Sequence, residues 1–450
     1  MYIKTQKFLI LGVSKSGYFA AKYILSNGGA CFLYEENLSE KVKEKIDELL
    51  AVGAVLVNDK NVEEIFDCVD AVIISPGVPI NHHIAVAAKK HGIKIMGELE
   101  FGYSALVPPV IAVTGTNGKT TTVSMIKTIF ENYGKKVFAV GNIGVPITEK
   151  EEEILTTKDC VVVCETSSFQ LESVIDFKPH IACVLNIAPD HLERHYTMEN
   201  YVFLKKRILK NLSQTEYAVL NFDDEIVKNF ADNTKAKVVW VSLKEKTNGA
   251  YVYDGKIYFG GEEICDVNSL SLKESHNVYN SLFAVTVSKL WGVSNEIIKN
   301  SLENFKGVPH RIELIAEHDG VKFFDDSKAT NTASAITAIN SMTAPTVLIV
   351  GGSEKGETYD DLFVKIKENG LIKHVVITGA SGIKMLDSAG NIGLGNITYT
   401  RKFDVAVQIA KIIAKEGENV LLSPACASFD DFSNYEERGN AFRRLVGGLN

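Results

Sequence analysis

Residues 110–130 read VIAVTGTNGKTTTVSMIKTIF, and their types and spacing suit the handling of phosphate. An apolar run ends at Gly115, Thr116, Asn117, Gly118 and Lys119, and a helix-like segment then opens on Thr120 and Thr121. Glycines let the backbone approach an anion, N–H groups at a helix start point toward it, and a lysine adds a full charge. In that division of labour Lys119 reaches the β- and γ-phosphates, and the hydroxyl of Thr120 or Thr121 sits on Mg²⁺. The common P-loop is longer between its glycines. A tight strand-to-helix turn that merely holds a lysine is the plainer alternative. Strand, turn, Gly-Lys-Thr-Thr and helix in one register favour a nucleoside triphosphate.

Such a site also needs metal ligands. Glu165 in VVVCETSSFQLE and His191 in NIAPDHLERH follow further apolar runs, and strand ends in an α/β sheet face one crevice. Glu165 suits Mg²⁺, a hard cation that takes oxygen ligands. A lone histidine such as His191 is more often a loop or core residue. Lys205 in NYVFLKKRILKNL shares a helix face with Tyr201, Ile208 and Leu209 and so points inward. Snorkelling to the surface is its alternative, and Lys206 stands one residue round the helix. Nearer the N-terminus GVSKSGYFAAKYIL follows a strand and opens a helix, with Glu35 after the next strand. That pattern resembles a dinucleotide-binding unit, but Gly12 and Gly17 supply only part of its glycine fingerprint. A diphosphate loop and a helix-packing turn stay equally open there. Ser75-Pro76-Gly77, at another strand end, favours a ligand.

The elements that must position these groups alternate strand and helix throughout. The chain has 450 residues, more than one core holds at about 150 residues per domain. Short apolar runs (KFLILGV, ACFLYEE, DAVIISPGVP, GIKIMGE) alternate with helix-like segments up to Val107-Pro108-Pro109. A second α/β block carries the phosphate loop and ends in a hairpin-like GAYVYDGKIYFGGEEICDV and two helices. A third begins near GVPHRIELI, where Gly307 and Pro309 suit a hinge. The expected architecture is α/β in three domains. Residues 1–107 form a Rossmann-like domain, 108–306 a P-loop ATPase-like parallel sheet, and 307–450 a C-terminal Rossmann-like domain. The net charge of −8 argues against nucleic acid as a partner. No apolar run is long enough to span a bilayer, and MYIKTQKFLILGV enters a strand directly, so a cytosolic protein without a membrane partner is expected. Seven cysteines, mostly single in apolar runs, make neither a disulfide framework nor a zinc site.

TGTNGKT, ETSSFQLE, NIAPDHLERH, HNVYN, GVPHRIE, DDSKATN and SPACASFDDFSNYEERG, in this order across all three blocks, resemble the Mur ligases, ATP-dependent amide ligases of peptidoglycan precursor synthesis. The last two motifs look most like those of members that add D-glutamate to UDP-N-acetylmuramoyl-L-alanine. Thr166, Glu35 and Tyr435 stand where many relatives carry Leu, Asp and Phe. The resemblance implies ATP phosphates on Thr116, Asn117, Gly118, Lys119 and Thr120, with Glu165 and His191 near Mg²⁺. It implies adenine contacts from Asn277 and Asn280, and ATP contacts from Arg311 and Asp326. Asn142 and Ser167 resemble contacts to the muramoyl-alanine part, while Ser14, Lys15, Ser16, Glu35, Ser75, Pro76 and Gly77 would frame the uridine diphosphate. D-Glutamate would meet Lys328 or Lys355, Thr330, Ser428 and the ring of Tyr435. The family also implies a lysine carbamylated by CO₂, matched in position by Lys205. A monomer is expected. Competing readings are a sibling ligase or folylpolyglutamate synthase using another amino acid, a nucleotide-gated binding protein, and a nicotinamide oxidoreductase. The incomplete fingerprint at Gly12 and Gly17 weighs against the last.

Overall fold

The computed structural model describes residues 3–142, 145–353 and 358–447. The chain divides into two compact units, Met1–Phe305 and Lys306–Asn450.

The first unit holds two parallel sheets. Strands Val55–Leu56, Ala30–Tyr34, Lys7–Leu11, Ala71–Ile74 and Lys94–Gly97 lie side by side in that spatial order. Their central members are apolar along their length, as strands covered by helices on both faces must be. The order reverses between Lys7–Leu11 and Ala71–Ile74, the position where open parallel sheets bind ligands. Both the Gly12–Gly17 turn and Ser75-Pro76-Gly77 emerge there. In the second sheet the spatial order is Lys237–Val241, Tyr217–Asn221, Ile181–Val184, Val110–Thr114, Cys160–Glu165 and Lys136–Gly141, all parallel. Val110–Thr114 therefore lies between Ile181–Val184 and Cys160–Glu165, and its loop is flanked by the loops that follow both. An antiparallel hairpin pairs Ala250–Tyr253 with Lys256–Phe259. It turns at Asp254 and Gly255, both at positive φ, as the DG signal requires. Helix Ser275–Leu290 packs along helix Lys119–Asn132.

Carboxylates join the two sheets of this unit. Glu100 accepts from the amides of Ile175, Asp176 and Phe177 at 2.8–3.0 Å. Glu98 accepts from both the amide and the hydroxyl of Thr148 at 2.9 Å. Burial pushes Glu98 up to about 7 and Glu151, one turn beyond Thr148, up to about 8.

In the second unit the spatial order is Glu313–His318, Val321–Asp325, Asn419–Leu422, Thr346–Gly351, Ile372–Thr378 and Ile397–Tyr399. Only the first pair is antiparallel, and apolar clusters cover both faces. Among the described residues no helix is long and apolar enough to cross a membrane.

Candidate active site

The phosphate loop is fixed by its neighbours as well as by its own residues. Gly118 caps helix Lys119–Asn132 at φ +85°, and a β-carbon there would stand 2.4 Å from Asn280 Oδ1. Only glycine meets both demands. The loop after Ile181–Val184 supplies the other wall. Asn186 Oδ1 accepts from the Asn117 amide at 2.9 Å while its Nδ2 donates to the Asn117 carbonyl at 3.1 Å. The Thr116 amide donates to the Asn186 carbonyl, and the Thr116 hydroxyl lies 3.0 Å from the Tyr201 hydroxyl. Asp224 accepts from the Ile187 amide at 2.9 Å and holds that wall in turn. Asn186 and Asp224 escape a reading of the sequence, although Asn186 stands inside the NIAPDH motif, and Tyr201 is legible as inward-facing but not as a partner of Thr116.

Glu165 ends its strand buried, 2% exposed, and each of its oxygens has a defined partner. Oε2 accepts from the Thr120 hydroxyl at 2.9 Å and Oε1 from Asn142 Nδ2 at 2.8 Å. Thr121 is buried beside Thr120. Ser167, expected beside the sugar, caps the short helix Ser168–Leu171 in a reciprocal box with Gln170. His191 is half-buried in the left-handed region at φ 53° and packs 5.0 Å from the Phe169 ring.

Lys205 points inward as its helix face demands. It is 2% exposed, and its Nζ donates to the Gly115 carbonyl at 2.8 Å. Lys119 Nζ donates to the same carbonyl at 2.9 Å and to that of Thr116 at 2.7 Å. Burial, and then the charge of Lys119, hold Lys205 well below the usual lysine range. Snorkelling is ruled out, since the side chain is buried with its Nζ on the Gly115 carbonyl. Asn277 and Asn280 lie buried one turn apart, Asn280 Nδ2 donating to Asn277 Oδ1 at 3.2 Å and its own Oδ1 accepting from the Thr122 hydroxyl.

At the reversal of the first sheet, Glu35 accepts from the Val13 amide at 2.7 Å and so fixes the turn that carries Ser14, Lys15 and Ser16. Ser75 Oγ donates to the Gly12 carbonyl at 2.7 Å. A β-carbon on Gly17 would stand 1.9 Å from that carbonyl, so Gly17 serves close packing of helix on strand. Lys15 pairs with Glu149 at 3.7 Å, Pro76 is half-buried and Gly77 is exposed.

The second unit gathers its own polar groups at strand ends. Asp326 is buried, accepts from Ser423 Oγ at 2.7 Å, and is pushed up to about 7 by burial against the pull of Arg311. Lys328 Nζ lies 5.1 Å over the Tyr435 ring. Thr330 is half-buried two residues on, and Ser428 is 2% exposed. Lys355 lies outside the described residues.

The sequence matches the Mur ligase middle domain over residues 113–288 and the Mur ligase glutamate ligase domain over 310–426. Curated relatives named UDP-N-acetylmuramoylalanine-D-glutamate ligase include those of Thermoanaerobacter sp. (strain X514) and Lachnospira eligens. The first is 41% identical and the second 39%, each over all of both chains. Among solved structures, the UDP-N-acetylmuramate-alanine ligase of Thermotoga maritima superposes with a TM-score of 0.62 at 19% identity, covering 98% of each chain. A pseudomurein peptide ligase type C of Methanothermus fervidus gives 0.61 at 19%, covering 98% of this chain and 99% of its own. Motif order, full-length identity and fold agree, and the chain belongs to the Mur ligase family.

Proposed function

We propose that this chain is the ATP-dependent ligase that joins D-glutamate to UDP-N-acetylmuramoyl-L-alanine during cytoplasmic peptidoglycan precursor synthesis. The observation that carries the reading is Glu165, which ties Thr120 of the phosphate loop to Asn142. That tie sets a nucleotide terminus beside a residue suited to the acceptor. Relatives alike over the whole chain carry this activity in their names. The first sheet is read as Rossmann-like and the second as P-loop ATPase-like, with domains at 1–107, 108–306 and 307–450.

In the reaction a carboxylate oxygen of the alanine attacks the γ-phosphorus, the bond to ADP breaks, and an acyl phosphate forms. The amine of D-glutamate then attacks the carbonyl carbon, loses a proton, and phosphate departs as the amide closes. Lys119 supplies charge at the transferring group, and the N–H groups of Gly118 to Thr120 at the helix start cradle the chain of phosphates. Asn277 and Asn280 are read as adenine contacts, Arg311 and Asp326 as further ATP contacts. Asn142 and Ser167 serve the muramoyl-alanine part, and Ser14, Lys15, Ser16, Glu35 and Ser75 to Gly77 the uridine diphosphate. Lys328 or Lys355, Thr330, Ser428 and Tyr435 receive D-glutamate, whose two carboxylates favour cations and hydroxyls.

The oxygens of Glu165 and Thr120, 2.9 Å apart, fit Mg²⁺, and His191 is read as a further contact to it. When bound, Mg²⁺ neutralises the charge of the phosphates. An unmodified Lys205 ammonium does not fit beside it. In its neutral form, which burial favours, the amine takes up CO₂, releasing one proton and becoming a carbamate, whose oxygens do fit. The test is phosphate release with purified protein. It should require ATP, UDP-N-acetylmuramoyl-L-alanine and D-glutamate together, and release independent of D-glutamate overturns the assignment.

A further inference from the structure

Helix Tyr435–Val446 buries one arginine, Arg438, to 2% exposure. Its guanidinium donates to the carbonyls of Ser327 at 2.8 Å, Cys426 at 2.9 Å and Ala427 at 3.1 Å. Ser327 follows strand Val321–Asp325, and Cys426 and Ala427 follow Asn419–Leu422. Gly352, after Thr346–Gly351, closes the ring. A β-carbon there would stand 2.9 Å from Arg438 Nη1 and 2.2 Å from the Ala427 carbonyl. One side chain thus sits where three neighbouring strands of the sheet end.

A plain anchor for the helix would not need this charge. Among the described residues no carboxylate pairs with Arg438, and its Nε is buried without an acceptor. Burial lowers it to about 10. Asp430, Asp325 and Asp326 attract it only from a distance, and taking a charge out of water without a direct partner is strongly unfavourable, so the groups it orders explain its place better than the stability it adds. Those groups adjoin Lys328, Thr330 and Ser428, and Tyr435 lies one turn earlier on the same helix. The loop it braces also contains Ala425 at φ 59°, a conformation that persists only where the surroundings hold it.

Resting on the function proposed above, we infer that Arg438 is a positioning residue for the amino-acid subsite. It fixes the peptide groups of Ser327, Cys426 and Ala427, so that Lys328 and Ser428 keep their places toward the amino-acid substrate. The guanidinium fork reaches three carbonyls at once, a geometry an ammonium does not reproduce.

The test is steady-state kinetics of full-length Arg438→Ala and Arg438→Lys with each substrate varied in turn. Both should raise KM for D-glutamate about 10- to 100-fold while KM for ATP and for the UDP-sugar stays within about threefold, since small misplacements near a bound group weaken its use steeply. Guanidine hydrochloride at low millimolar concentration should restore part of the D-glutamate KM of Arg438→Ala and leave Arg438→Lys unchanged. Arg443→Ala is the control for loss of helix anchoring. It removes an ion pair of the same helix, to Glu313 at 2.7 Å, and should lower thermal stability without moving KM for D-glutamate. If Arg438→Ala does not fold, Arg438→Lys carries the test alone. An unmoved D-glutamate KM in the folded variants, or an equal rise in all three KM values, overturns the role of Arg438. Failure of the unsubstituted protein to consume D-glutamate overturns instead the function on which it rests.

Discussion

Replacing Lys205 with methionine should stabilise the protein and abolish its turnover, because the burial that suits the amine to the proposed carbamylation is also a liability to the fold. The substitution removes one hydrogen bond, to the Gly115 carbonyl at 2.8 Å, worth about 1.5–3 kcal/mol since its donor can be charged. That carbonyl keeps its bond to Lys119. In return the buried amine beside Lys119 disappears, and replacing such a group by an apolar side chain of similar volume gives a net gain of about 1–3 kcal/mol near neutral pH. The gain depends on pH in a defined direction. The folded-state pKa of Lys205 lies well below 10.5, so between the two values the unfolded chain binds the extra proton. Stability of the unsubstituted protein therefore rises with pH through that window, by up to about 1.4 kcal/mol per unit. Lys205→Met lacks this slope, and the gap closes as pH approaches 10.5. Urea titrations of both proteins in CO₂-free buffer from neutral to alkaline pH measure it. Turnover of the variant should drop at least roughly 100-fold, about 2.7 kcal/mol of barrier. Carbon-13 bicarbonate should give a carbamate resonance in the unsubstituted protein alone. A variant less stable at neutral pH, or a gap that does not change with pH, refutes the reasoning.

Lys119→Ala should keep its fold and lose most turnover, a barrier increase of about 3–5 kcal/mol if it acts like other preorganised charges; near-normal kcat would remove it from the transferring group. L-Glutamate should be rejected strongly in place of D-glutamate, because a site built for charged groups leaves them unpaired in the wrong hand; comparable ligation of either would contradict that. Glu151 is raised to about 8 from 4.5, so the folded state holds a proton that the unfolded state releases, and stability falls as pH rises between those values. Glu151→Gln should flatten the decline, by up to about 1.4 kcal/mol per pH unit, and an unchanged urea midpoint profile would show that the carboxyl is not protonated. Gly118→Ala should lose about 1–2 kcal/mol from the left-handed backbone alone, more from the clash with Asn280, and nucleotide affinity with it; a fluorescent ATP analogue binding normally would argue against that.

The parts of this site that are legible in sequence are those whose chemistry is local. Gly115 to Thr121 announce themselves because strand, glycines, lysine and helix start are contiguous, and the inward face of Lys205 follows from helical period alone. Apolar runs reveal that strands exist. They do not give the spatial order that places Glu165 and Asn186 on either side of one loop, since parallel strands buried on both faces look alike. Gly17 shows the limit from the other side. Its sequence context reads equally as a diphosphate loop or a packing turn, and only the 1.9 Å approach to the Gly12 carbonyl displays the packing. Asp224 and Arg438 act through hydrogen bonds to backbone groups far away in the chain, and Tyr201 through the hydroxyl of Thr116. Arg438 stands inside SPACASFDDFSNYEERG and Tyr201 on the inward face with Lys205, yet neither setting names the partner it meets.

The clasp around the phosphate loop also governs when the loop can exist. Asn117 meets Asn186 across 69 residues, Thr116 meets Tyr201 across 85, and Thr122 meets Asn280 across 158. Closing such long loops is entropically unfavourable before the contacts reward it, and chains dominated by distant pairings acquire them slowly. The loop can assume its shape only after the strand that leads into Asn186 and the helix that carries Asn280 have docked. Nucleotide capture is therefore among the last competences a refolding chain acquires, and a stopped-flow ATP-analogue signal should lag behind the recovery of secondary structure.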